Sequence, residues 1–259
     1  MISIEKLKEK KKELALTNQQ LANISGVSLG TINKIFSGAT KSPQLDTLKA
    51  LIRALDLDSE SDYQPDILRE SSFSYQVRKN TGTYTSKDYD NLPDDVRAEL
   101  IDGHLIFMES PTIQHQEILG ELFFSIRSYI KHRSGLCKIL LSPIDVYLDE
   151  DDKTILQPDL VIFCDPGKNN GKQIIGAPDF VAEVVSPSSR RRDYLTKLNK
   201  YWTAGVREYW IIDPEQTKVS VYCFSTTDEN FSVKTYSFQD KIPVGIYDDL
   251  IIDFSEFEL

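Results

Sequence analysis

Three cysteines in 259 residues are too few and too scattered for a disulfide framework. Cys137, Cys164 and Cys223 show no metal-ligand spacing either, and this usage fits a chain kept in a reducing cytoplasm. Long apolar runs are missing as well. None approaches the roughly 20 residues that span a bilayer, so no membrane partner is expected. The first residues, Met1 to Lys8, lack the apolar core of a signal peptide. No internal repeat or low-complexity run is visible. Positive charge is in short supply: Lys and Arg number 30 against 40 Asp and Glu, a formal net charge of −10. That balance does not suit a protein that binds nucleic acid by charge alone.

The deficit is unevenly spread. Residues 1–56 hold nine basic and five acidic residues, a balance of +4, so the remaining 203 residues carry −14. The chain reads as a basic module joined to an acidic body. Acidic clusters are what a cation site looks like before the cation is counted.

Helical signals crowd the basic module. Ile4, Leu7, Lys11 and Leu14 begin an amphipathic helix. Thr17 caps a second, with Gln20 at the capping-box position, and Gly26 stops it. Ser28 caps a third, which Gly38 ends. Pro43 to Asp46 opens a fourth, whose apolar stripe is Leu45, Leu48, Leu51, Ile52 and Leu55. The short second and third helices, joined by Ser25, Gly26 and Val27, have helix-turn-helix spacing. The segment resembles the Cro/repressor (XRE) class of DNA-binding domains. The resemblance implies that the third helix enters the major groove with Ser28, Thr31, Asn33 and Lys34 as its early polar positions. It also implies that Gln19 or Gln20 contacts backbone or base. A third helix with one lysine and no arginine predicts weak, salt-sensitive affinity in isolation. The alternative is a small helical bundle that binds protein or dimerises. Residues 57–83 are polar and poor in aliphatics and read as a linker. The expected division is 1–56, 57–83 and 84–259.

In the large domain, Tyr84 to Tyr89 reads as a short capped helix. Ala98 to Met108 reads as a hairpin turning at Asp102-Gly103, with Glu99 in its first strand. A helix from about His115 to His132 buries Leu119, Leu122, Phe123, Ile126 and Ile130. His115 falls at the start of that face, and Glu117 and Glu121 fall opposite. Strands follow at 144–148, 156–164 and 180–185, then a helix from about Arg190 to Ala204, then strands at 208–213 and 219–224. Residues 231–254 read as a β appendage. This order indicates an α/β (α+β) fold, a mixed sheet flanked by helices.

Two apolar strands in this domain each carry one carboxylate, Asp159 and Glu183. A lone carboxylate in a sheet core is costly unless its charge is compensated. Two on successive strands, followed by Lys197 on a helix, point to a divalent cation with oxygen ligands. Period-2 geometry puts Asp159 on one face with Val161 and Phe163, and Glu183 with Val181 and Val185. Lys197 borders the stripe made by Tyr194, Leu198, Tyr201 and Trp202. Against the site reading stand plainer ones: a strand-edge carboxylate for Asp159, a snorkelling lysine for Lys197 and a hydrogen-bonded core histidine for His115. Asp145 braces the sheet or joins the site, and Gln157 lines it. Arg190, Arg191 and Arg192 are either a solvated first turn or a phosphate attractor.

These residues carry a resemblance. Glu99 to Gly103, Ser110-Pro111 with His115, and Ile144-Asp145 match in order. So do Gln157-Pro158-Asp159, Ala177 to Ser188 around Glu183, Asp193 with Lys197 and Tyr201, and Gly205 to Pro214. The domain is similar to the PD-(D/E)XK nuclease superfamily, and within it to a restriction-endonuclease-like family of uncharacterised bacterial proteins. The superfamily sets its lysine two residues after the glutamate; here that position is Val185, and Lys197 takes the role. The resemblance implies a Mg²⁺-dependent DNA endonuclease, with Mn²⁺ as a substitute. Asp159, Glu183 and Glu99 would be metal ligands, and Lys197 and His115 would stand beside them as catalytic residues. Its products would be a 5′-phosphate and a 3′-hydroxyl, and duplex cleavage would call for a homodimer. Two alternatives stand beside it: a non-catalytic DNA-binding transcriptional regulator whose nuclease-like body dimerises or binds a ligand, and a nuclease acting on RNA or branched DNA.

Overall fold

The computed structural model describes residues 4–40, 43–57, 82–93, 95–133, 135–148, 151–224 and 231–259. Apart from Leu57, Gly82 and Thr83, the expected linker lies outside the described residues. The chain divides into two compact units, Met1–Val77 with Pro187–Thr196, and Arg78–Ser186 with Lys197–Leu259.

The first unit contains helices α1 (Ile4–Glu13), α2 (Asn18–Ser25), α3 (Leu29–Phe36) and α4 (Leu45–Ala54). The capping box forms as the sequence predicts. Gln20 N donates to Thr17 Oγ1 and Thr17 N donates to Gln20 Oε1, which satisfies two otherwise orphaned donors of α2. Gly26, at φ 72°, closes α2 in the left-handed region. Ser28 Oγ then accepts from Thr31 N and starts α3. Leu7, Leu21, Ile24, Ile32, Ile35, Leu51 and Leu55 are buried. Leu45, expected in that stripe, is the first residue of α4 and is exposed. Arg191 Nε donates to the carbonyl of Ala54 at the end of α4, 3.2 Å away. That gives one of the three consecutive arginines a helix-capping partner.

The second unit holds α5 (Ser86–Asp90), α6 (Ile113–Arg133) and α7 (Leu198–Ala204) around two sheets. One sheet is built from β1 (Ala98–Ile101), β2 (His104–Phe107), β4 (Val146–Tyr147), β5 (Ile155–Leu156) and β7 (Ile174–Ile175), in the spatial order β2-β1-β5-β4-β7. The other uses β3 (Lys138–Leu141), β6 (Leu160–Phe163), β8 (Phe180–Val184), β9 (Glu208–Asp213), β10 (Lys218–Phe224) and β11 (Phe231–Ser237), in the order β11-β10-β9-β8-β6-β3. Its β8–β9 pair is parallel and the others are antiparallel. A separate pair, β12 (Lys241–Pro243) and β13 (Ile251–Asp253), follows.

Alternation decides the layers. Leu160, Ile162, Phe180, Ala182, Val184, Trp210 and Ile212 point to one face of the larger sheet. They form a core with Ile118, Leu119, Leu122 and Ile126 of α6 and with Ile242, Ile252 and Phe254 near the C-terminus. The opposite face carries Val161, Val181 and Tyr209, and Tyr201 of α7 packs its ring on Tyr209 with centroids 4.9 Å apart. The hairpin turns as expected: Asp102 and Gly103 have φ of 49° and 76°, the geometry of a type I′ turn. A Cβ on Gly103 would lie 2.6 Å from Gly82 O, so only glycine fits.

The mixed α/β architecture is the one the sequence predicts, with four corrections in detail. The single strand expected at 156–164 is two, β5 and β6, in different sheets. Pro158 offers no N–H to a ladder, and the chain changes sheets there. The helix expected from about Arg190 starts there, but it runs through π-helical turns at Arg192–Lys197 before α7. The wider turns shift the phase of the helix, so Lys197 is buried rather than bordering the apolar stripe, while Leu198 and Trp202 are half-exposed. Residues 231–237 are not an appendage but the edge strand of the main sheet. Finally, Cys137 and Cys164 are joined by a disulfide. They stand opposite each other because Lys138 pairs with Phe163 in the β3–β6 register. The three cysteines are therefore not all free thiols, contrary to what their scattered spacing suggests.

Candidate active site

Asp159 directly precedes β6. The β6–β8 register pairs Leu160 with Ala182, so Asp159, one residue before β6, and Glu183, one residue after Ala182, lie at the same end of the strand pair. The sequence thus brings two carboxylates together from positions 24 apart. Asp159 is anchored on both sides: Ser142 N donates to its carbonyl at 2.9 Å, and Val184 N donates to its Oδ2 at 2.8 Å.

Lys197 completes the cluster. Its Nζ stands 2.8 Å from Glu183 Oε1 and 2.8 Å from Glu99 Oε1, with only 2% of the side chain exposed. Glu99, on β1, comes from the other sheet and is fully buried. Charges this deep persist only when paired and hydrogen-bonded. Both carboxylates have further donors. Gln157 N donates to Glu99 Oε1 at 3.0 Å, and Tyr201 OH donates to Glu183 Oε1 at 2.9 Å. Burial and the neighbouring Glu183 carboxylate push the Tyr201 hydroxyl well above its ordinary pKa, so it keeps its proton and remains a donor.

His115 sits in the first turn of α6, where its N–H donates to Thr112 Oγ1. Its Nε2 is 3.1 Å from Asp159 Oδ2, and its Nδ1 is buried with no hydrogen-bond partner. The five expected residues thus fall into two neighbouring groups: Lys197 pairs with Glu99 and Glu183, and His115 pairs with Asp159, whose Oδ2 also accepts from the N–H of Val184, the residue after Glu183. Glu117 is exposed on the far side of α6, as its helical phase predicts. The apolar stripe of its helix places Tyr201 in the core. It is buried, but its hydroxyl is part of the cluster, and its i+4 spacing from Lys197 on one helix was the available signal.

The donor chemistry fits a hard divalent cation. Mg²⁺ is commonly held by one or two carboxylates and keeps several waters, and Asp159 with Glu183 supplies that pair. Among the described residues no group of three or more His, Cys, Asp or Glu side chains is arranged to hold a metal. A cation here would rely on two carboxylates and water. Glu99 Oε1 is engaged by Lys197 and Gln157.

In the helical unit, Gln19, Gln20, Ser28, Asn33 and Lys34 are exposed and Thr31 is half-buried. Several are committed to local structure: Gln20 and Ser28 to caps, and Thr31 Oγ1 to Ser28 Oγ at 2.9 Å. Asn33 Oδ1 accepts from Asn18 Nδ2 at 2.7 Å, tying α3 to the start of α2. Gln19 Nε2 donates to Asn23. Lys34 is the basic residue of the α3 surface.

The sequence model of the Uma2 family, described as "Putative restriction endonuclease", matches residues 86–245, which contain all five cluster residues. A helix-turn-helix family model matches residues 7–60. A crystal structure described as "a putative nuclease belonging to DUF820", from Anabaena variabilis, aligns with a TM-score of 0.55 at 20% identity. The alignment covers 66% of this chain and 96% of that one. At that identity the likeness is one of fold. No curated protein matches the sequence. Among the described residues no helix is long and apolar enough to cross a membrane.

Proposed function

This chain belongs to the Uma2 restriction-endonuclease family and carries a helix-turn-helix segment, and from that premise we propose that it is a metal-dependent DNA endonuclease. The observation that carries the reading is Lys197 Nζ at 2.8 Å from both Glu183 and Glu99, with the Asp159 carboxylate held by the N–H of Val184, next to Glu183. A buried lysine beside a carboxylate pair is what phosphodiester hydrolysis needs: cation ligands, and a fixed positive charge for the developing negative charge on phosphorus.

In this reading Asp159 and Glu183 hold Mg²⁺, or Mn²⁺ in its place. The cation supplies Lewis-acid polarisation of the phosphate and a more acidic water. Lys197 supports the attacking water and the transition-state charge, and Glu99 fixes its direction. His115 orients Asp159 through Nε2. The helix-turn-helix, with Asn33 and Lys34 on the α3 surface, brings the enzyme to DNA. Residues 1–56, 57–83 and 84–259 are its targeting, linking and cleaving parts. Cleavage of both strands takes two copies of the site, hence a homodimer, acting in the cytoplasm where DNA is reached.

One observation favours a non-catalytic regulator: the protein's own Lys197 already offsets part of the charge of Glu99 and Glu183. The test is cleavage of supercoiled plasmid and of single-stranded DNA with Mg²⁺, Mn²⁺ or EDTA, comparing wild type with Asp159→Ala and Lys197→Ala. Metal-dependent cutting lost in both variants supports the nuclease. No cutting by clean wild type, together with salt-sensitive DNA binding and no Mg²⁺ binding, supports the regulator.

A further inference from the structure

Lys197 depends on Glu99, and Glu99 in turn depends on a residue outside the cluster of charges. The Glu99 Oε1 atom that receives Lys197 Nζ at 2.8 Å also receives Gln157 N at 3.0 Å. A carboxylate turns readily about its last torsion, which is broad. The backbone donor holds it in the one orientation that presents this oxygen to the lysine.

Gln157 is well placed to do so. It lies where the chain leaves β5 in one sheet for β6 in the other, two residues before Asp159. Pro158 restricts it to extended conformations. Its side chain is gripped in a closed ring of three hydrogen bonds. Nε2 donates to Tyr89 OH at 2.9 Å and to Asp145 Oδ1 at 3.0 Å, and Tyr89 OH donates to Asp145 Oδ1 at 2.7 Å. The sense of each bond follows from chemistry. An ionised Asp145 only accepts, so Tyr89 donates to it, and the tyrosine oxygen is left to accept from the amide. Burial and the Asp145 carboxylate raise the Tyr89 pKa, which keeps that proton in place. The amide nitrogen must therefore face the pair. Gln157 Oε1 is left buried with no hydrogen-bond partner, an arrangement that folded proteins rarely keep.

We propose that Gln157, locked by Tyr89 and Asp145, is a positioning residue that aims Lys197 through Glu99. The proposal rests on the nuclease reading only for its kinetic consequence; the positioning itself is a property of the folded chain.

Tyr89→Phe removes one hydroxyl and keeps the ring, and Gln157→Leu removes the amide. Full-length protein labelled with ¹³C at lysine Cε reports the Lys197 side chain by NMR, its signal assigned by its loss in Lys197→Met. Both variants are expected to shift that signal while urea melts show a folded chain. A Lys197 signal unmoved in the folded Tyr89→Phe protein overturns the proposal, whether or not the enzyme cuts DNA. Where wild type cuts, single-turnover cleavage is expected to fall roughly 10- to 100-fold in each variant, with the Kd for DNA unchanged. In a Lys197→Met background, Tyr89→Phe is expected to cause no further loss. An additive loss there, or an unchanged rate in wild-type background, overturns the proposal. Absence of metal-dependent cutting in wild type removes the nuclease reading, and the NMR result then decides positioning alone.

Discussion

Lys197 and Glu183 are joined by a 2.8 Å ion pair between side chains that are 2% and 5% exposed. The superfamily pattern places its lysine two residues after the glutamate, where this chain has Val185, and the structure brings a lysine to the glutamate from the following helix instead. Removing one partner of a buried pair strands the other and costs about 3–5 kcal/mol. Lys197→Met is therefore expected to lower the denaturant midpoint and to slow cleavage on the order of 100-fold or more. Lys197→Arg keeps the charge but is expected not to restore the rate, because a planar guanidinium does not fit the space of an ammonium. Cleavage by Lys197→Met at the wild-type rate would remove the lysine from the mechanism.

Asp159→Asn tests the cation separately from the fold. The asparagine side-chain oxygen still accepts from Val184 N, so the bond that locks this position survives. The anionic charge that a hard cation requires is lost. Calorimetric titration with Mn²⁺ is expected to show affinity reduced by more than about tenfold, with melting behaviour close to wild type. Equal Mn²⁺ affinity in the two proteins would mean that the ion, if bound, is bound elsewhere.

How much of this was readable from the chain varies with the physics behind each residue. Period-2 alternation groups Asp159 with Val161 and Glu183 with Val181, and it lets the two carboxylates converge if their strands are neighbours; the pairing of β6 with β8 meets that condition. The capping box of Thr17 and Gln20 and the Asp102-Gly103 turn are local chemistry, legible from adjacent residues. The phase of Lys197 was not legible, because π-helical turns obey no sequence rule as plain as the 3.6-residue period. Nor was the role of Tyr89, because its hydroxyl acts across 68 positions of sequence. The Cys137–Cys164 pair was hidden for the same reason, its partners being brought together only by the β3–β6 register.

Lys34 and Asn33 divide the expected work of α3. Lys34, exposed near the helix C-terminal end, is suited to phosphate, whereas Asn33, held by Asn18, presents its amide in a fixed direction. Lys34→Ala is expected to weaken all DNA sequences alike and to reduce the slope of log K against log salt by about 1. Asn33→Ala is expected to leave that slope unchanged and alter sequence preference. Fluorescence anisotropy across a salt series, with selected and random duplexes, separates the two.

The Cys137–Cys164 disulfide closes a segment with a sequence separation of 27. Loop-closure entropy assigns such a crosslink about 3–4 kcal/mol of stability. Dithiothreitol is expected to lower the urea midpoint of wild type and to leave Cys137→Ser unaffected. Thiol titration of unfolded protein should find one free thiol before reduction, that of Cys223, and three after. A count of three before reduction would show that the bond does not form.

Glu208 gives the stability curve a component of definite sign. Its carboxylate is buried, receiving Trp210 Nε1 at 2.7 Å and Ile246 N at 2.9 Å. Burial raises its pKa above 4.5 despite these donors. The folded chain therefore holds this proton to higher pH than the unfolded chain does. Between the ordinary and the raised value the folded state binds more protons, so stability from this group falls as pH rises. Glu208→Gln abolishes the titration. It also turns an amide toward backbone donors, so the variant is offset in stability at every pH. The informative quantity is the difference between wild type and variant as a function of pH. Wild type is expected to lose ground to the variant as pH is raised from about 4 toward neutrality. Urea melts across that range measure it. A difference that stays flat, or that grows in favour of wild type, would show that the carboxylate is as well stabilised in the fold as in water.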